Sequence, residues 1–464
     1  MLFQSFTFLA FFLVVFMVYH LLLQGRTRAQ NIFLLIASYF FYGYADWRML
    51  PILWVATCVY YWLGIHIEKA NERRASVLTT LSILLGVALL GYFKYLNFFV
   101  DSFATLFSRF GLSTHPHTIH VLVPLGISFF TFRLLSYVIE IHRGRMAASR
   151  NFVNFATYVA FFPSILAGPI DRPNAFLPQL DHHRSFDYSL AVDGMRQILW
   201  GLFKKVVVAD NLSIYVDTVW ESTVDMFSPS GSTLLLTMCL YFIQLYADFS
   251  GYSDMAIGIA KLLGIRLADN FRSPLFAVNI SDFWQRWHIS LTSWLTDYIF
   301  IPLHIKYREW GRFGAIVAIL VTFLVSGIWH GANWTFVLWG IMHALLFIPL
   351  LLCQRRHKHT TNRLRDIPRM LCTFMLVALS LVLFRAPSVS DAWHYLSAMC
   401  DISLFSVPHI ENITHFVITI VAILVMLLME WHNRLPNRWW MYYALLLAIW
   451  WFAGQDVDFI YFQF

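Results

Sequence analysis

Apolar residues fall in long blocks along this chain, not at alternate positions or in amphipathic stripes. Windows of about 19 residues place the blocks near 5–23, 31–45, 50–66, 77–99, 119–140, 231–262, 283–303, 312–328, 332–352, 367–384, 413–431 and 437–453. Most approach the roughly 20 apolar residues that cross a bilayer as a helix. A helix satisfies its own backbone in lipid, whereas a transmembrane barrel would show short segments of alternating polarity. The pattern therefore predicts an all-α, polytopic membrane protein of about 12 transmembrane helices.

Two further apolar stretches are interrupted. Residues 151–168 run into "FFPSILAGPIDRP", and 194–210 contain Lys204 and Lys205. Both read as half-helices or re-entrant segments, whose broken backbone protein or water must cover.

The breaks between blocks set an orientation. "QGRTRAQ", "EKANERR", "HRGR", "HIKYREWGR" (304–312) and "RRHKHTTNRLRDIPR" (355–369) all carry Lys or Arg. With both termini external, every one of these loops is cytoplasmic, as the positive-inside rule requires. The first block lacks a positive n-region and a cleavage site, so it is expected to be a retained helix and not a removed signal peptide. No repeat or compositional break divides the chain, so 1–464 reads as a single integral-membrane domain.

Composition changes this picture little. The chain is 59% hydrophobic and 13% charged, against roughly a quarter charged in soluble chains, so membrane lipid is its first partner. The formal charge of +7 sits in short loops, which argues against nucleic acid. Arg355, Arg356, Lys358, Arg363, Arg365 and Arg369 form a basic cluster that anchors topology on anionic lipid or attracts the phosphates of a ligand. Cys58, Cys239, Cys353, Cys372 and Cys400 show neither CxxC nor Cys/His spacing, so neither a disulfide framework nor a metal site is indicated.

Candidate chemistry lies where polar residues interrupt the blocks. "FLVSGIWHGANWTFVLWG" (323–340) holds Trp329, His330 and Asn333 in a small break between two blocks. The block before it is short for a full span, which puts the turn in a recess. An imidazole there can take a proton from a hydroxyl without bearing a permanent charge. Gly327 and Gly331 permit close backbone approach, and Asn333 offers an amide to orient a ring or substrate.

"SDFWQRWHISLTSWLTDYIFIPL" (281–303) adds Asp282, Arg286, His288 and Asp297 within an aromatic helix. "YFIQLYADFSGYSDMAIGIAKLLG" (241–264) adds Gln244, Asp248, Ser250, Tyr252, Ser253 and Asp254. In a continuous helix Asp248 and Tyr252 share a face while Asp254 points elsewhere. From the residues alone, a tunnel lining and a hydrogen-bonded helix seam both remain open. The chain between His288 and His330 returns to the same side of the membrane, so the two imidazoles can approach each other.

Together these stretches resemble the membrane-bound O-acyltransferase superfamily, and within it the bacterial alginate O-acetylation branch. "FWQRWHISLTSWLTDYIFIPL" and "SGIWHGANWTFVLWGIMHA" resemble that branch's two histidine motifs. Supporting matches occur at "VPLGISFFTFRLLSYVIEIHRG" (123–144), "FFPSILAGPIDRP" (161–173), "LYADFSGYSDMAIGIAKLLGI" (245–265) and "FIYFQF" (459–464). The resemblance implies helices around a funnel or tunnel, with His330 as the catalytic histidine and His288 as the second one. Trp329, Asn333, Asp297, Gln244, Asp248 and Tyr252 are then the supporting residues.

The implied activity is transfer of an acyl group, acetyl above all, from a cytoplasmic thioester to a hydroxyl at the external face. The donor would be acetyl-CoA or an acyl carrier, with no tightly bound cofactor. The final acceptor would be an exopolysaccharide such as alginate, or another envelope polymer, outside the bacterial cytoplasmic (inner) membrane. The external segments are modest, which suits a periplasmic or membrane-anchored acetyltransferase partner.

Two departures stand out: Thr296 where many relatives carry arginine, and "HIKYREWGR" in place of a glycine-rich loop. A rival reading is a transporter or flippase with His288, His330, Asp248 and Asp254 as its pathway, although the inverted repeat common in such folds is not visible.

Overall fold

In a computed structural model, residues 1–110, 122–224, 229–352, 364–432, 436–454, 459 and 460 are described, and they form helices joined by turns with no strand among them. Outside the described residues lie Cys353, Arg355, Arg356, Lys358, Arg363, the start of the block near 119 and the last four residues of "FIYFQF". Among the described residues, seven stretches are long and apolar enough to cross a membrane: Thr27–Lys69, Glu72–Ala104, Gly231–Leu262, Arg308–His330, Trp334–Leu352, Leu364–Arg385 and Ile413–Trp431. Thr27–Lys69 is itself two α-helices joined by a 3-10 turn, and Phe6–Leu22 and Trp439–Phe452 are shorter apolar helices. Side-chain caps set several starts. Ser5, Asn71 and Asn412 accept from the backbone N–H of Phe8, Arg74 and His415, satisfying donors that a helix start leaves bare.

The chain clusters into two compact units, 1–195 with 256–268, and 196–255 with 269–464. In the first, the predicted half-helix becomes Phe152–Ala160 followed by irregular chain. Backbone leaving a helix needs new partners, and Arg133 supplies them. This residue, 1% exposed, donates from Nη1 to the carbonyls of Tyr158 (3.1 Å) and Val159 (3.3 Å). Its Nη2 donates to the Ser164 carbonyl (3.1 Å), Ser164 Oγ (2.6 Å) and the Pro169 carbonyl (3.3 Å). Gly126, at φ +70°, passes so close that an added Cβ would lie 2.4 Å from the Ile165 oxygen, a position only glycine fills.

In the second unit three expectations are revised. Residues 194–210 are helical throughout, passing from Tyr188–Leu202 into a π-helical turn, Phe203–Ala209. The lysines that suggested a break are paired internally. Lys204 Nζ meets Asp254 Oδ2 (2.6 Å) and Glu430 Oε1 (3.5 Å), and Lys205 Nζ meets Asp210 Oδ1 (2.7 Å) and Asp248 Oδ1 (2.8 Å).

The block 283–303 is not one helix. It splits into Ile280–Arg286, Ile289–Leu295, a π turn Thr296–Phe300 and Ile301–Lys306. The break falls at His288, held at φ +42°, because Ile289 N donates to the Asn270 carbonyl (2.8 Å) and Arg272 N to the Arg286 carbonyl (3.0 Å). A left-handed non-glycine residue costs on the order of 1–3 kcal/mol, which its surroundings must offset.

The block 312–328 grows into the 20-residue helix Gly311–His330, about 30 Å at ~1.5 Å per residue, a full span. His330 therefore ends a full-length helix. That helix and the next, Trp334–Leu352, cross at glycines. A Cβ at Gly327 would lie 2.3 Å from the Phe336 oxygen, and one at Gly340 2.4 Å from the Phe323 oxygen, so small residues let the backbones touch.

Candidate active site

The hairpin and the broken segment together bring three histidines to one chamber in the second unit. His288, His330 and His343 line it with Trp284, Trp339, Phe384 and other apolar side chains, and no acidic or basic group apart from the imidazoles is in the lining. Its volume is about 20 Å³, room for one water. His288 and His343 are 1% exposed and His330 is 7% exposed. The rings of Trp329, Trp339 and Phe384 stand edge-on to His330 at 5.0, 5.1 and 5.1 Å.

Hydrogen-bond arithmetic assigns two of the tautomers. Asn270 Nδ2 donates to Ser253 Oγ (3.0 Å), and its Oδ1 accepts from Ser290 Oγ (2.8 Å) and from His288 Nδ1 (2.9 Å). An amide oxygen only accepts, so the His288 proton sits on Nδ1 and Nε2 carries the lone pair. The same logic applies to His343. Ser380 Oγ spends its one proton on the Val377 carbonyl (2.6 Å), so its 2.9 Å contact with His343 Nε2 is an N–H donated by the ring. His343 Nδ1 is then a buried acceptor with no donor among the described residues.

His343 lies within the second histidine motif, and the sequence reading does not single it out. A signal was present: Phe336, Trp339, Gly340, His343 and Ala344 repeat at helical spacing and are all buried, so a polar residue lies on the packed face of an apolar helix.

Of the other candidates, Trp329 lies beside both His330 (5.0 Å) and His288 (6.0 Å). Asn333 is engaged in the turn, where Oδ1 accepts from Thr335 N (3.1 Å) and Nδ2 donates to the Pro387 carbonyl (2.7 Å). Asp297 is part-buried in the π turn. Arg286 Nε donates to Asp282 Oδ1 at 2.9 Å.

The Gly231–Leu262 helix faces the chamber with Phe242, Leu245 and Phe249, and Phe249 meets the His288 ring edge-on at 4.7 Å. Gln244, Asp248 and Tyr252 are outside the lining. Asp248 pairs with Lys205 and also accepts from Ile460 N (2.8 Å), Tyr252 stacks on Phe459 at 4.8 Å, and Asp254 accepts from Gln197 Nε2 (2.9 Å) besides pairing with Lys204. The two carboxylates of this helix are thus held in ion pairs with Lys204 and Lys205. The described residues hold no group of three His, Cys, Asp or Glu side chains placed to share a metal ion.

A helical membrane fold with imidazoles gathered in an aromatic chamber fits the family relationship of the chain. The model of the MBOAT, membrane-bound O-acyltransferase family, matches residues 39–384, and the chain belongs to that family. It is an O-acyltransferase. It is 38% identical to "Probable alginate O-acetylase AlgI" of Azotobacter vinelandii, over 86% of this chain and 78% of that protein. The protein of the same description from Pseudomonas aeruginosa is 37% identical over 89% of this chain and 77% of its own length. "Peptidoglycan O-acetyltransferase" of Helicobacter pylori is 32% identical over 89% and 82%.

Proposed function

We propose that this enzyme moves an acetyl group from a cytoplasmic thioester, acetyl-CoA or an acyl carrier, to a hydroxyl presented from the external face. The end product is an O-acetylated envelope polymer, alginate-like or peptidoglycan-like, in keeping with the names of its relatives. The observation that carries the reading is the position of His330 in a chamber of imidazoles and aromatic rings without carboxylates. A general base there removes the proton of a hydroxyl as it attacks the thioester carbonyl. The tetrahedral intermediate collapses with cleavage of the C–S bond, and the same proton passes from His330 to the departing thiolate. His288, its tautomer held by Asn270, orients the reacting groups with Nε2.

The direct acceptor is the polymer or a periplasmic or membrane-anchored acetyltransferase that passes the group on. The enzyme sits in the bacterial inner membrane with both termini external, the orientation that keeps its basic loops in the cytoplasm. A transport reading has less support, since Asp248 and Asp254 are held by Lys205 and Lys204.

The test is His330→Ala in cells that acetylate the polymer. Loss of polymer O-acetyl groups with unchanged protein in the membrane is expected, and normal acetylation would overturn the reading.

A further inference from the structure

The buried ion pairs beside the π-helical turn Phe203–Ala209 do not balance. Two adjacent lysines on the turn meet four carboxylates, Asp254 and Glu430 at Lys204, Asp210 and Asp248 at Lys205. With every group ionised, two cations would face four anions inside an apolar helix bundle. No other cation among the described residues reaches these carboxylates. Arg385 is held by Asp217 at 2.7 Å. Of the helices packed on the turn, Ile413–Trp431 adds only His415, engaged with Tyr215 and Asn211 at 2.7 and 3.0 Å, and Trp439–Phe452 adds no charged group.

The two triads differ in what else meets them. At Lys204, the Asp254 side chain is 19% exposed and accepts from Gln197 Nε2 (2.9 Å), while Tyr246 donates its hydroxyl to Glu430 Oε1 (2.6 Å). Solvent and these donors support the negative charge. The Lys205 triad has no such relief. Lys205, Asp210 and Asp248 are 2%, 3% and 1% exposed, and Asp210 Oδ1 and Asp248 Oδ1 lie 2.7 and 2.8 Å from the same Nζ. One ammonium balances one carboxylate. The second charge would be buried, unpaired and beside a like charge, a state that uptake of a proton relieves.

Hydrogen bonding leads independently to the same shortage. Gln244 lies one turn before Asp248 on Gly231–Leu262, and its Oε1 is buried without a donor, as is Glu430 Oε2. The cluster therefore holds more acceptor oxygens than protons to meet them. The described residues bring no three carboxylates or imidazoles to one point for a metal ion.

We propose that Lys205, Asp210 and Asp248 form a proton-binding site, in which the two carboxylates share one proton at neutral pH. The proton is drawn toward Asp210. Asp248 Oδ2 already accepts from Ile460 N (2.8 Å), which favours its ionised form, whereas Lys205 is the one polar contact of the Asp210 carboxyl among the described residues.

The site sets the sign of a pH dependence. An unfolded aspartate gives up its proton above about pH 4, while the folded pair keeps one. The folded chain then binds more protons than the unfolded chain, so stability falls as pH rises.

The test is infrared spectroscopy of purified full-length protein in a maltoside detergent, which has no carbonyl of its own. Wild type at neutral pH should show the C=O stretch of a protonated carboxylic acid, shifted in heavy water. Asp210→Asn, which keeps the shape and removes the acid, should lose that band. Between about pH 6 and 9 the thermal midpoint should fall in wild type and fall clearly less in Asp210→Asn, with the two midpoints close at neutral pH. Asp254→Asn, at the more solvated triad, should leave the band in place.

A band that survives in Asp210→Asn, or that Asp254→Asn removes instead, overturns the proposal. Asp210→Asn protein too unstable to purify also overturns it, because two ionised carboxylates would then be needed around Lys205. A wild-type midpoint that depends on sodium against choline at fixed pH assigns the missing charge to a metal cation and overturns it as well.

Discussion

Arg133 in the first unit and His343 in the second are equally buried, yet they use their polar atoms in opposite ways. The two amino groups of Arg133 make five hydrogen bonds to a broken stretch of chain, four to backbone carbonyls and one to Ser164 Oγ. His343 donates one and keeps an acceptor nitrogen without a donor among the described residues. Around Arg133 the buried polarity holds the chain in shape. In the histidine chamber the hydrogen bonds fix the tautomers of His288 and His343 and leave His343 Nδ1 without a donor among the described residues. Burial is the same at the two residues, and the difference lies in how their hydrogen-bonding capacity is used.

The contrast breaks most sharply at His330. Its replacement by Ala should lower transfer by about 10²- to 10⁴-fold, the usual contribution of a general base, while the thermal midpoint of the solubilised protein stays close to wild type. A large fall in midpoint would move His330 to the architectural side. Arg133→Met should do the reverse. Carbonyls left without a donor should destabilise the fold by about 3–5 kcal/mol, as when a buried polar network loses its central charge, read as loss of folded protein in size-exclusion profiles. A stable but inactive Arg133→Met protein would end the comparison.

Asn270→Leu tests the middle ground, because it removes the acceptor that holds the His288 proton on Nδ1. Activity should drop by about tenfold or more through misassigned tautomers, and ¹⁵N chemical shifts of the His288 ring should report the change. Unaltered shifts would show that Asn270 does not set the tautomer. The smallest effect is expected at Asn333. Its bonds to Thr335 N and the Pro387 carbonyl belong to the turn, so Asn333→Ala should cost about 1 kcal/mol of stability and leave kcat within a fewfold of wild type. A loss of turnover as deep as that of His330→Ala would restore it to the chemistry.

The helices were legible because apolar blocks of spanning length allow little else in lipid. His330 and His288 were legible because ionisable groups inside such blocks are rare. What stayed hidden depends on residues distant in sequence. The break at His288 is set by Asn270, 18 residues upstream. The innocence of Lys204 depends on Asp254 and Glu430, residues in two other helices. Arg133 serves carbonyls that only its tertiary neighbours reveal to be exposed ends. The length of Gly311–His330 was underestimated because glycine and the Trp-His pair at its end read as a break, when they pack against the next helix.

The glycine crossing of Gly311–His330 with Trp334–Leu352 also bears on motion. Backbones in direct contact at Gly327 and Gly340 slide or separate only by losing that contact, so the crossing resists relative movement of the two helices. His330 ends one arm and His343 sits on the other, so the crossing also holds the spacing of the two imidazoles. The chamber, about 20 Å³, has room for one water, so a larger guest needs one of its other walls to give. Among those walls are the two short helices that meet at His288, where the backbone is already held at φ +42°. A change there would alter the distance of His288 from a pair of imidazoles whose own spacing the glycine crossing holds.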